Sequence, residues 1–589
     1  MIGKGERWSF LVLASIVFVY VALRAALVPW VHDESASIFW YAERGQFLPY
    51  VAMWDAGNHY LSTAIGVLAY KLWELSLFGS RIGSVLAFPV YAWAIFRITT
   101  DISDRSARTI AWIALLTCPF LLDFFSLFRG YGLCMAFWAV AIDGGIRFQR
   151  TGSDRSLAQL LIGIALADLA VLSLVPVWAL IIAVTGLVLF RRWRNGKLVI
   201  STFSTWSLLG VLPLLFGLLL AWEMRRRGLL YHGTTEGFLP VTVGSLAQFV
   251  IGSRNAIVIA IVVLVVGACS IIAIMRMPRA RVLLLLLAVL WADVMMRIGM
   301  AFILGVNYPE DRAALHMVPL VILVIAFTIE ALPRSSLILR SAYMLTLAYL
   351  PLRSITMANF DQTLLWPEQS VPKRFISAIE GLHKEHPRPL VIGAYHQLQL
   401  ALPYSARLHG MQIPPPDVIG FPHGTHDVRI VDERFIDEAR RGYREIDRSE
   451  GNGLYLLVAD PPIGTTPIGN STFEQTTPTA EFIEIWKEEG VSIDRSELLI
   501  EVDCRISSEM IPLNMFIVAS IDRGDGSAYY HQVPLAYTRA KWNGDQLHVT
   551  MRIPPIEGAT RKVVYLWNAD LVPVMIEDGQ AEVHRVIGP

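Results

Sequence analysis

The sequence predicts a polytopic α-helical membrane protein that continues into an extracytoplasmic α/β region and a C-terminal β-sandwich. Hydrophobic residues make up 54% of the 589 residues and charged residues only 17%, which is too little charge for the surface of a soluble protein. Apolar runs of about 20 residues, long enough to cross a bilayer core, recur up to Arg353 and then stop. The formal net charge of +0 provides no global attraction for nucleic acid, so no such partner is expected.

About eleven apolar segments have the composition of membrane-spanning helices. The first of them lacks a small-residue cleavage site, and we interpret it as a retained helix and not as a signal peptide. The predicted spans are Trp8–Val28, Ser80–Ile98, Thr109–Leu127, Gly130–Arg147, Leu157–Leu174, Val177–Phe190, Phe203–Trp222, Ala256–Met275, Val282–Leu304, Ala314–Ala331 and Leu337–Leu352.

Basic residues in the loops predict the orientation of these spans, because cytoplasmic loops are rich in Lys and Arg. The basic clusters are Lys4 and Arg7; Arg97, Arg105 and Arg108; Arg147, Arg150 and Arg155; Arg191, Arg192, Arg194 and Lys197; and Arg276, Arg279 and Arg281. They share the cytoplasmic side only if the apolar segment His59–Leu77 lies along the membrane surface, so we predict an interfacial helix there. The run Arg225–Arg227 falls on the opposite side, which indicates either an error in the topology or a cationic site for an anionic ligand.

The remainder of the chain, from Ser354, is polar and should be extracytoplasmic, because the last span runs outward. Its first half combines helical spacing in Lys373–His386 with short buried strands at Pro389–Ile392 and Gly453–Val458. The second half has alternating strands separated by turns, as in a β-sandwich. These strands are Leu498–Val502, Phe516–Ile521, Leu547–Ile553, Lys562–Trp567 and Ala581–Val586. The predicted domains are therefore residues 1–355, 356–495 and 496–589.

Several polar motifs fall on the predicted outer face. They are His32-Asp33-Glu34, Asn58-His59, Phe128-Arg129-Gly130-Tyr131, Tyr231-His232-Gly233 and the segment from Asn307 to Arg312. Carboxylates facing cations at a membrane boundary suit a reaction that needs a base and a group to stabilise a departing phosphate. Asp33 is the candidate base, and Glu34 would position the acceptor or share its proton. Arg129, Arg312 and His59 are candidates for phosphate contacts, since the Arg fork matches phosphate oxygens.

The order of these motifs, with Gly79-Ser80-Arg81 between the second and third, resembles that of bacterial C-superfamily (GT-C) glycosyltransferases over roughly residues 1–355. That group includes relatives of the protein O-mannosyltransferases and the lipid A aminoarabinose transferases. The segment from Tyr308-Pro309 through Arg312 to Pro319 looks like their later outer loop. Two departures are that Leu61 stands where many relatives carry a proline, and Arg129 where many carry an acid. Asp123 is the nearest acidic residue to that turn.

The resemblance implies an enzyme of the bacterial inner membrane that transfers a sugar from a polyprenyl-phosphate-linked donor to an acceptor outside the cytoplasm. The acceptor would be a glycan, a lipid or a protein. It implies that Asp33 is the catalytic base, with Glu34 beside it. The implied contacts to the donor's lipid phosphate come from Asn58, His59, Arg129, Tyr131 and Arg312, with His32, His232 and Arg297 as further candidates. No cofactor is implied, and no His/Asp cluster has metal-ligand spacing.

Structural interpretations stand beside these functional ones. Asp33 and Glu34 would equally serve as cap and first-turn acids of the helix that follows them. Arg312 would serve to cap its turn with Asp311, and Asp293 and Arg297, four residues apart in a span, would serve as an ion pair. The alternative functions are a transporter or flippase for a lipid-linked glycan, and a membrane-anchored protein that binds glycan through its β-sandwich.

Overall fold

The computed structural model describes residues 3–196, 200–277, 280–475, 477–490, 493, 496–508, 512–535 and 545–587. Lys197 and Arg279, two members of the predicted cytoplasmic basic clusters, lie outside the described residues. The chain divides into two compact units. The first comprises residues 1–27 and 45–360, and the second comprises residues 28–44 and 361–589. The predicted division at 355 did not anticipate that residues 28–44 belong with the C-terminal part of the chain.

The helices are numbered in chain order. They are α1 (Lys4–Leu27), α2 (His32–Ser37), α3 (Tyr60–Trp73), α4 (Leu77–Thr99), α5 (Arg105–Thr117), α6 (Pro119–Phe125), α7 (Tyr131–Thr151), α8 (Asp154–Ala170), α9 (Val175–Arg194), α10 (Ile200–Trp206), α11 (Leu212–Arg226), α12 (Gly244–Val250), α13 (Ala256–Met275), α14 (Arg281–Leu304), α15 (Met317–Ala331), α16 (Leu337–Met357), α17 (Lys373–Glu385), α18 (Leu398–Leu408) and α19 (Ile436–Ala439).

The chain is a multi-pass membrane protein. Within the described residues, six helices are long and apolar enough to cross a membrane: α1, α4, residues 172–194, residues 200–226, α13 and α14. The pair α5 and α6, bent by 49°, would make a seventh. Every predicted span coincides with a helix or with a pair of consecutive helices. The count of about eleven crossings remains a prediction.

The bend between α5 and α6 follows from one proline. Pro119 occupies the first turn of α6, where its missing N–H costs nothing. Its ring disfavours helical geometry in the preceding residue, and Cys118 is indeed extended, with φ −60° and ψ 117°. The two helices therefore meet at an angle and do not continue as one.

Helix α3 occupies the segment predicted to be interfacial. It has 14 residues and stops at Glu74, whose φ is +52°. A helix of that length reaches only about 21 Å, short of the ~30 Å hydrocarbon core. Its length agrees with the prediction that this segment is not a crossing, and its position at the membrane surface stays a prediction.

The basic run that opposed the predicted topology, Arg225–Arg227, makes contacts within the first unit. Glu223, one turn earlier on α11, accepts hydrogen bonds from Arg226 (2.6 Å) and Arg227 (2.9 Å). Arg227 also lies 4.7 Å above the ring of Trp54, and Arg225 donates to the carbonyl oxygen of Leu304 at 2.6 Å. Glu223 thus pairs with two of the three arginines, and the run keeps a net positive charge.

The second unit contains three sheets. Its strands are β1 (Ile392–Ala394), β2 (Pro416–Asp417), β3 (Val428–Asp432), β4 (Tyr443–Ser449), β5 (Leu454–Ala459), β6 (Gly464–Phe473), β7 (Phe482–Glu489), β8 (Leu498–Ser507), β9 (Met515–Arg523), β10 (Ala528–Pro534), β11 (Asp545–Ile553), β12 (Ala559–Asn568) and β13 (Met575–Ile587). The first sheet has the order β2-β1-β3-β5-β4, in which β1 is parallel to β2 and β3.

Two four-stranded antiparallel sheets, with the orders β10-β9-β12-β7 and β11-β8-β13-β6, share one hydrophobic core. The five predicted strands are β8, β9, β11, β12 and β13. The β-rich region begins at Gly464 and not at residue 496, so the predicted boundary was wrong. Strand β6 lies at a sheet edge with mostly exposed side chains, and so lacks the alternation that reveals a half-buried strand.

Candidate functional site

The motif His32-Asp33-Glu34 opens α2 in the second unit. The Glu34 carboxylate accepts a 3.3 Å hydrogen bond from the Val31 N–H, while the Glu34 N–H donates to the Val31 carbonyl oxygen at 3.1 Å. This reciprocal pair is the capping arrangement expected of a first-turn acid. Glu34 is 0% exposed, whereas Asp33 is partly exposed. The structural interpretation therefore describes Glu34 well, and Asp33 is the acid of the pair that solvent reaches.

His32 is held by two glutamines of the same unit. The backbone N–H of His32 donates to the side-chain oxygen of Gln369 at 2.9 Å, and the ring nitrogen Nδ1 of His32 lies 3.1 Å from the backbone carbonyl oxygen of Gln397. A carbonyl can only accept, so Nδ1 carries the proton and, in the neutral ring, Nε2 is the acceptor. Gln397 follows the carboxyl end of β1. The rings of His32 and His396 lie 6.0 Å apart.

Four predicted phosphate-contact residues converge in the first unit, and all four are buried: Asn58, His59, Arg129 and Tyr131. Arg129 Nη1 donates to the carbonyl oxygen of Gly57 at 3.3 Å. The rings of His59 and Tyr131 meet edge to face at 4.9 Å, and Asn58 Nδ2 donates to the Phe47 carbonyl oxygen at 3.1 Å. We refer to these four residues as the arginine–histidine cluster.

Gly130 makes this cluster possible by letting two backbones approach. A Cβ on Gly130 would lie 2.0 Å from the Ala170 carbonyl oxygen and 2.8 Å from His59 Cβ. No side chain fits in that space. The glycine of the Arg129-Gly130-Tyr131 motif is therefore required for packing, and it seats the cluster against the end of α8.

Asp55 is a member of this region that the sequence reasoning missed. Its Oδ1 accepts a 2.5 Å hydrogen bond from the Gly57 N–H. A Cβ on Gly57 would lie 3.0 Å from that carboxylate oxygen and 3.5 Å from Arg129 Nη2. The signal was present in the sequence, since Asp55 lies three residues before Asn58-His59.

Asp123, the acidic residue nearest to the Arg129 turn, forms an ion pair with another helix. It is buried and pairs with Arg24 of α1 at 2.5 Å. Arg24 also donates to the backbone and side-chain oxygens of Asn359, at 2.7 and 2.9 Å. This bonding ties α6 to α1 and to the end of α16, so Asp123 has a structural role.

Arg297 belongs to a buried triad. Its Nε lies 2.9 Å from one carboxylate oxygen of Asp293, and His316 Nε2 lies 2.8 Å from the other. The predicted ion pair between Asp293 and Arg297 is confirmed. His316 was missed because it precedes α15, a separate helix, and no local pattern links it to Asp293. Its own carbonyl oxygen accepts from Trp138 Nε1 at 3.1 Å.

The break between α8 and α9 joins this triad to the arginine–histidine cluster. Arg297 Nη2 donates to the Ser173 carbonyl oxygen at 2.9 Å. Three residues earlier, at the last residue of α8, the Ala170 carbonyl oxygen faces Gly130. The two buried polar groups thus contact the chain three residues apart, at the end of α8 and in the break that follows it.

His232 and Arg312 meet at a single carboxylate of the first unit. His232 Nε2 lies 3.5 Å and Arg312 Nη1 lies 3.4 Å from Asp311 Oδ1. Asp311 has φ +41°, and its N–H donates to Ser245 Oγ at 2.8 Å, which holds the turn. The structure therefore supplies His232 with the partner that the sequence did not reveal. In the part of the chain that the structure describes, no group of three or more His, Cys, Asp or Glu side chains could hold a metal ion.

No family model matches the chain, and no curated protein matches it. Solved structures do. ArnT from Cupriavidus metallidurans, in the apo state, is 13% identical, with 77% of this chain and 98% of that chain covered and a TM-score of 0.43. The same protein bound to undecaprenyl phosphate is 12% identical over the same shares of the two chains, also with a TM-score of 0.43.

The names of two further matches state an enzymatic activity. The arabinosyltransferase EmbB from Mycobacterium smegmatis is 11% identical, with 100% of this chain and 65% of that chain covered and a TM-score of 0.38. The oligosaccharyltransferase AglB from Archaeoglobus fulgidus, in complex with an inhibitory peptide and a dolichol-phosphate, is 10% identical, with 98% and 96% covered and a TM-score of 0.37. The chain is thus similar, at 10–13% identity, to the solved structures of ArnT, EmbB and AglB.

Proposed function

We propose that this protein transfers a sugar from a polyprenyl-phosphate-linked donor to an extracytoplasmic acceptor, which is a glycan, a lipid or a protein. The observation that carries the proposal is the arginine–histidine cluster, in which four buried polar side chains of a membrane protein converge where α3 and α7 begin. A guanidinium and an imidazole in that position suit the phosphate of a lipid carrier. The apolar helices suit its hydrocarbon tail.

In the proposed reaction, Arg129, His59 and Asn58 contact the donor phosphate. Negative charge on this phosphate grows as the bond between the anomeric carbon and the phosphate oxygen breaks, so fixed donors stabilise the transition state more than the ground state. Tyr131 packs on the His59 ring and fixes its orientation. Arg312, held with His232 by Asp311, would contact the donor from the outer loop.

Asp33 is the proposed general base. It removes the proton of the acceptor hydroxyl while the oxygen attacks the anomeric carbon and the polyprenyl phosphate departs. The proton then resides on the Asp33 carboxylate. The partial exposure of Asp33 favours it over Glu34, which is fully buried and committed to capping α2.

We place the protein in the bacterial inner membrane with its C-terminal region outside the cytoplasm. The basic clusters support this orientation, and the run Arg225–Arg227 remains its one exception. Cleavage of the C-terminal region in intact spheroplasts by an added protease would support the orientation. Cleavage only in inverted vesicles would contradict it.

The experiment uses the full chain in lipid nanodiscs with a panel of undecaprenyl-phosphate hexoses and pentoses and envelope extracts as acceptors. It measures free undecaprenyl phosphate and labelled product. We expect Arg129→Gln to weaken donor binding at least tenfold, because charge-assisted phosphate contacts are worth about 1.5–3 kcal/mol. The matched control is Arg254→Gln, an outer-loop arginine paired with Glu310 at 3.2 Å.

A transporter would behave differently in the same preparation. It would move the intact lipid-linked sugar between leaflets and release no undecaprenyl phosphate. That result, across the whole donor panel, would overturn the proposed function.

A further inference from the structure

A groove of about 370 Å³ runs between α1 and α4 in the first unit. Its lining is apolar apart from Ser15 and one charged residue, Arg7. Both helices are long and apolar enough to span a membrane. The groove therefore lies on a surface that faces the lipid, so that hydrocarbon and not water would fill it.

The groove exists because small residues lie between large ones. Ala14 and Ser15 on α1 and Ala92 on α4 provide its floor, and Pro89 interrupts the hydrogen bonding of α4 beside them. The larger side chains form its walls: Phe10, Leu11, Phe18, Phe88, Trp93 and Phe96. Phe10 and Phe96 meet across the two helices with ring centroids 4.9 Å apart.

The length of the groove corresponds to one leaflet. Its lining on α1 runs from Arg7 to Phe18. At 1.5 Å per residue this is about 16 Å, close to half of the ~30 Å hydrocarbon core. A chain lying in the groove would thus start at Arg7 and reach the middle of the membrane near Phe18.

Arg7 provides a positive charge at the headgroup end. The neighbouring acid, Glu6, is committed to Arg108 at 2.6 Å, and Arg97 at the same end of α4 is committed to Asp143 at 3.0 Å. Arg7 is exposed and forms no ion pair with any carboxylate among the described residues. Its charge complements an anionic headgroup.

We propose that this groove binds one acyl chain of an anionic phospholipid, with Arg7 contacting the headgroup phosphate, in the leaflet that meets the N-terminal end of α1. The proposal goes beyond the transfer reaction, since none of these residues belongs to the arginine–histidine cluster or to α2. The leaflet-length lining favours a phospholipid chain over the longer polyprenyl tail of the donor. Charge complementarity favours an anionic headgroup over a zwitterionic one.

The test is native mass spectrometry of the full chain, titrated with phosphatidylglycerol or phosphatidylcholine that carry identical acyl chains. One charged contact near a headgroup predicts a roughly fivefold preference for phosphatidylglycerol. Arg7→Gln should abolish that preference. Ser15→Trp, at an exposed position, should fill the groove and reduce the binding of both lipids. Arg276→Gln, at the end of α13, is the matched control and should retain the preference.

Equal binding of the two lipids by the wild-type protein would overturn the proposal, as would an unchanged preference in Arg7→Gln. Displacement of phosphatidylglycerol by equimolar undecaprenyl phosphate would assign the groove to the donor's tail and would also overturn it. None of these three results would change the outcome of the transfer assay, because that assay tests the roles of Arg129 and Asp33.

Discussion

Arg297 donates a 2.9 Å hydrogen bond from Nη2 to the carbonyl oxygen of Ser173, in the break between α8 and α9. Ala170, the last residue of α8 and three residues before Ser173, contacts Gly130, next to Arg129. The triad of Asp293, Arg297 and His316 therefore supports the segment on which the proposed phosphate site rests. Arg297 acts here as a positioning residue, and its direct contact with the donor is not needed for that role.

Replacement of Arg297 by Ala should destabilise the first unit. It would leave Asp293, which is 0% exposed, without its main counter-charge, and breaking a buried pair in this way costs roughly 3–5 kcal/mol. Thermal unfolding in nanodiscs measures the change. Arg281→Ala, an exposed arginine on the same helix, is the control. An Arg297→Ala protein that melts at the wild-type temperature would contradict the assignment of a structural triad.

Gly130→Ala tests the packing of the arginine–histidine cluster. The added methyl would meet the Ala170 carbonyl oxygen at 2.0 Å, so the turn carrying Arg129 must shift. We expect donor affinity to fall at least tenfold, because phosphate contacts depend on placement within about 1 Å. Gly145→Ala, on the α7 helix that Gly130 precedes, has its nearest contact at 3.8 Å and should leave donor affinity unchanged. Equal affinities in the two variants would show that the close approach does not matter for binding.

A buried histidine in the second unit predicts how stability depends on pH. His426 lies 3.6 Å from Asp417, which also contacts His531 at 3.1 Å and Arg552 at 3.2 Å. Burial lowers the pKa of His426 below its usual value, although Asp417 opposes the decrease. The pKa of Asp417 is also lowered: burial raises it, but the nearby His426 and the hydrogen-bonded His531 outweigh that effect, so this carboxylate stays ionised in mild acid.

The sign of the effect follows from the His426 pKa. In the unfolded chain His426 takes up a proton near pH 6.5, before the folded protein does, so stability should fall as the pH drops through about 6.5. This one residue contributes a slope in the free energy of unfolding that approaches about 1.4 kcal/mol per pH unit. The contribution disappears at pH values below the pKa of His426 in the folded protein. Melting curves from pH 8 to 5 measure it. His426→Gln should flatten the dependence, whereas His423→Gln, an exposed neighbour, should preserve it. A slope unchanged by His426→Gln would contradict this account.

Local patterns in the sequence were sufficient for most helices and for the strands of the two antiparallel sheets. Apolar runs identify helices without reference to distant residues, and the alternation in β8, β9 and β12 reflects one buried face of each strand. Edge strand β6 and the three-residue strand β1 carry too little of either signal. The segment of α3 was predicted to be an interfacial helix because the basic clusters of the loops favour that placement over a crossing.

The motifs of the site could be predicted from the sequence, but the contacts between distant residues could not. The Arg129-Gly130-Tyr131 and Asn58-His59 motifs converge, as their order along the chain suggested, and Asp293 pairs with Arg297 one turn away. Links across long sequence separations, such as Asp293 with His316, depend on tertiary packing. No periodicity encodes them. The capping role of Glu34 was visible as an alternative, and only its burial decided the matter.

The central claim is that Asp33 is the base for sugar transfer, and single-turnover kinetics of Asp33→Asn test it most directly. General-base catalysis contributes roughly 10²–10⁴-fold, so the transfer rate should fall by at least about 100-fold while the Kd for the undecaprenyl-phosphate sugar stays within about threefold. Asp361→Asn, an exposed acid of the same unit, should transfer at the wild-type rate. A folded Asp33→Asn protein that transfers sugar as fast as the wild type would contradict the account.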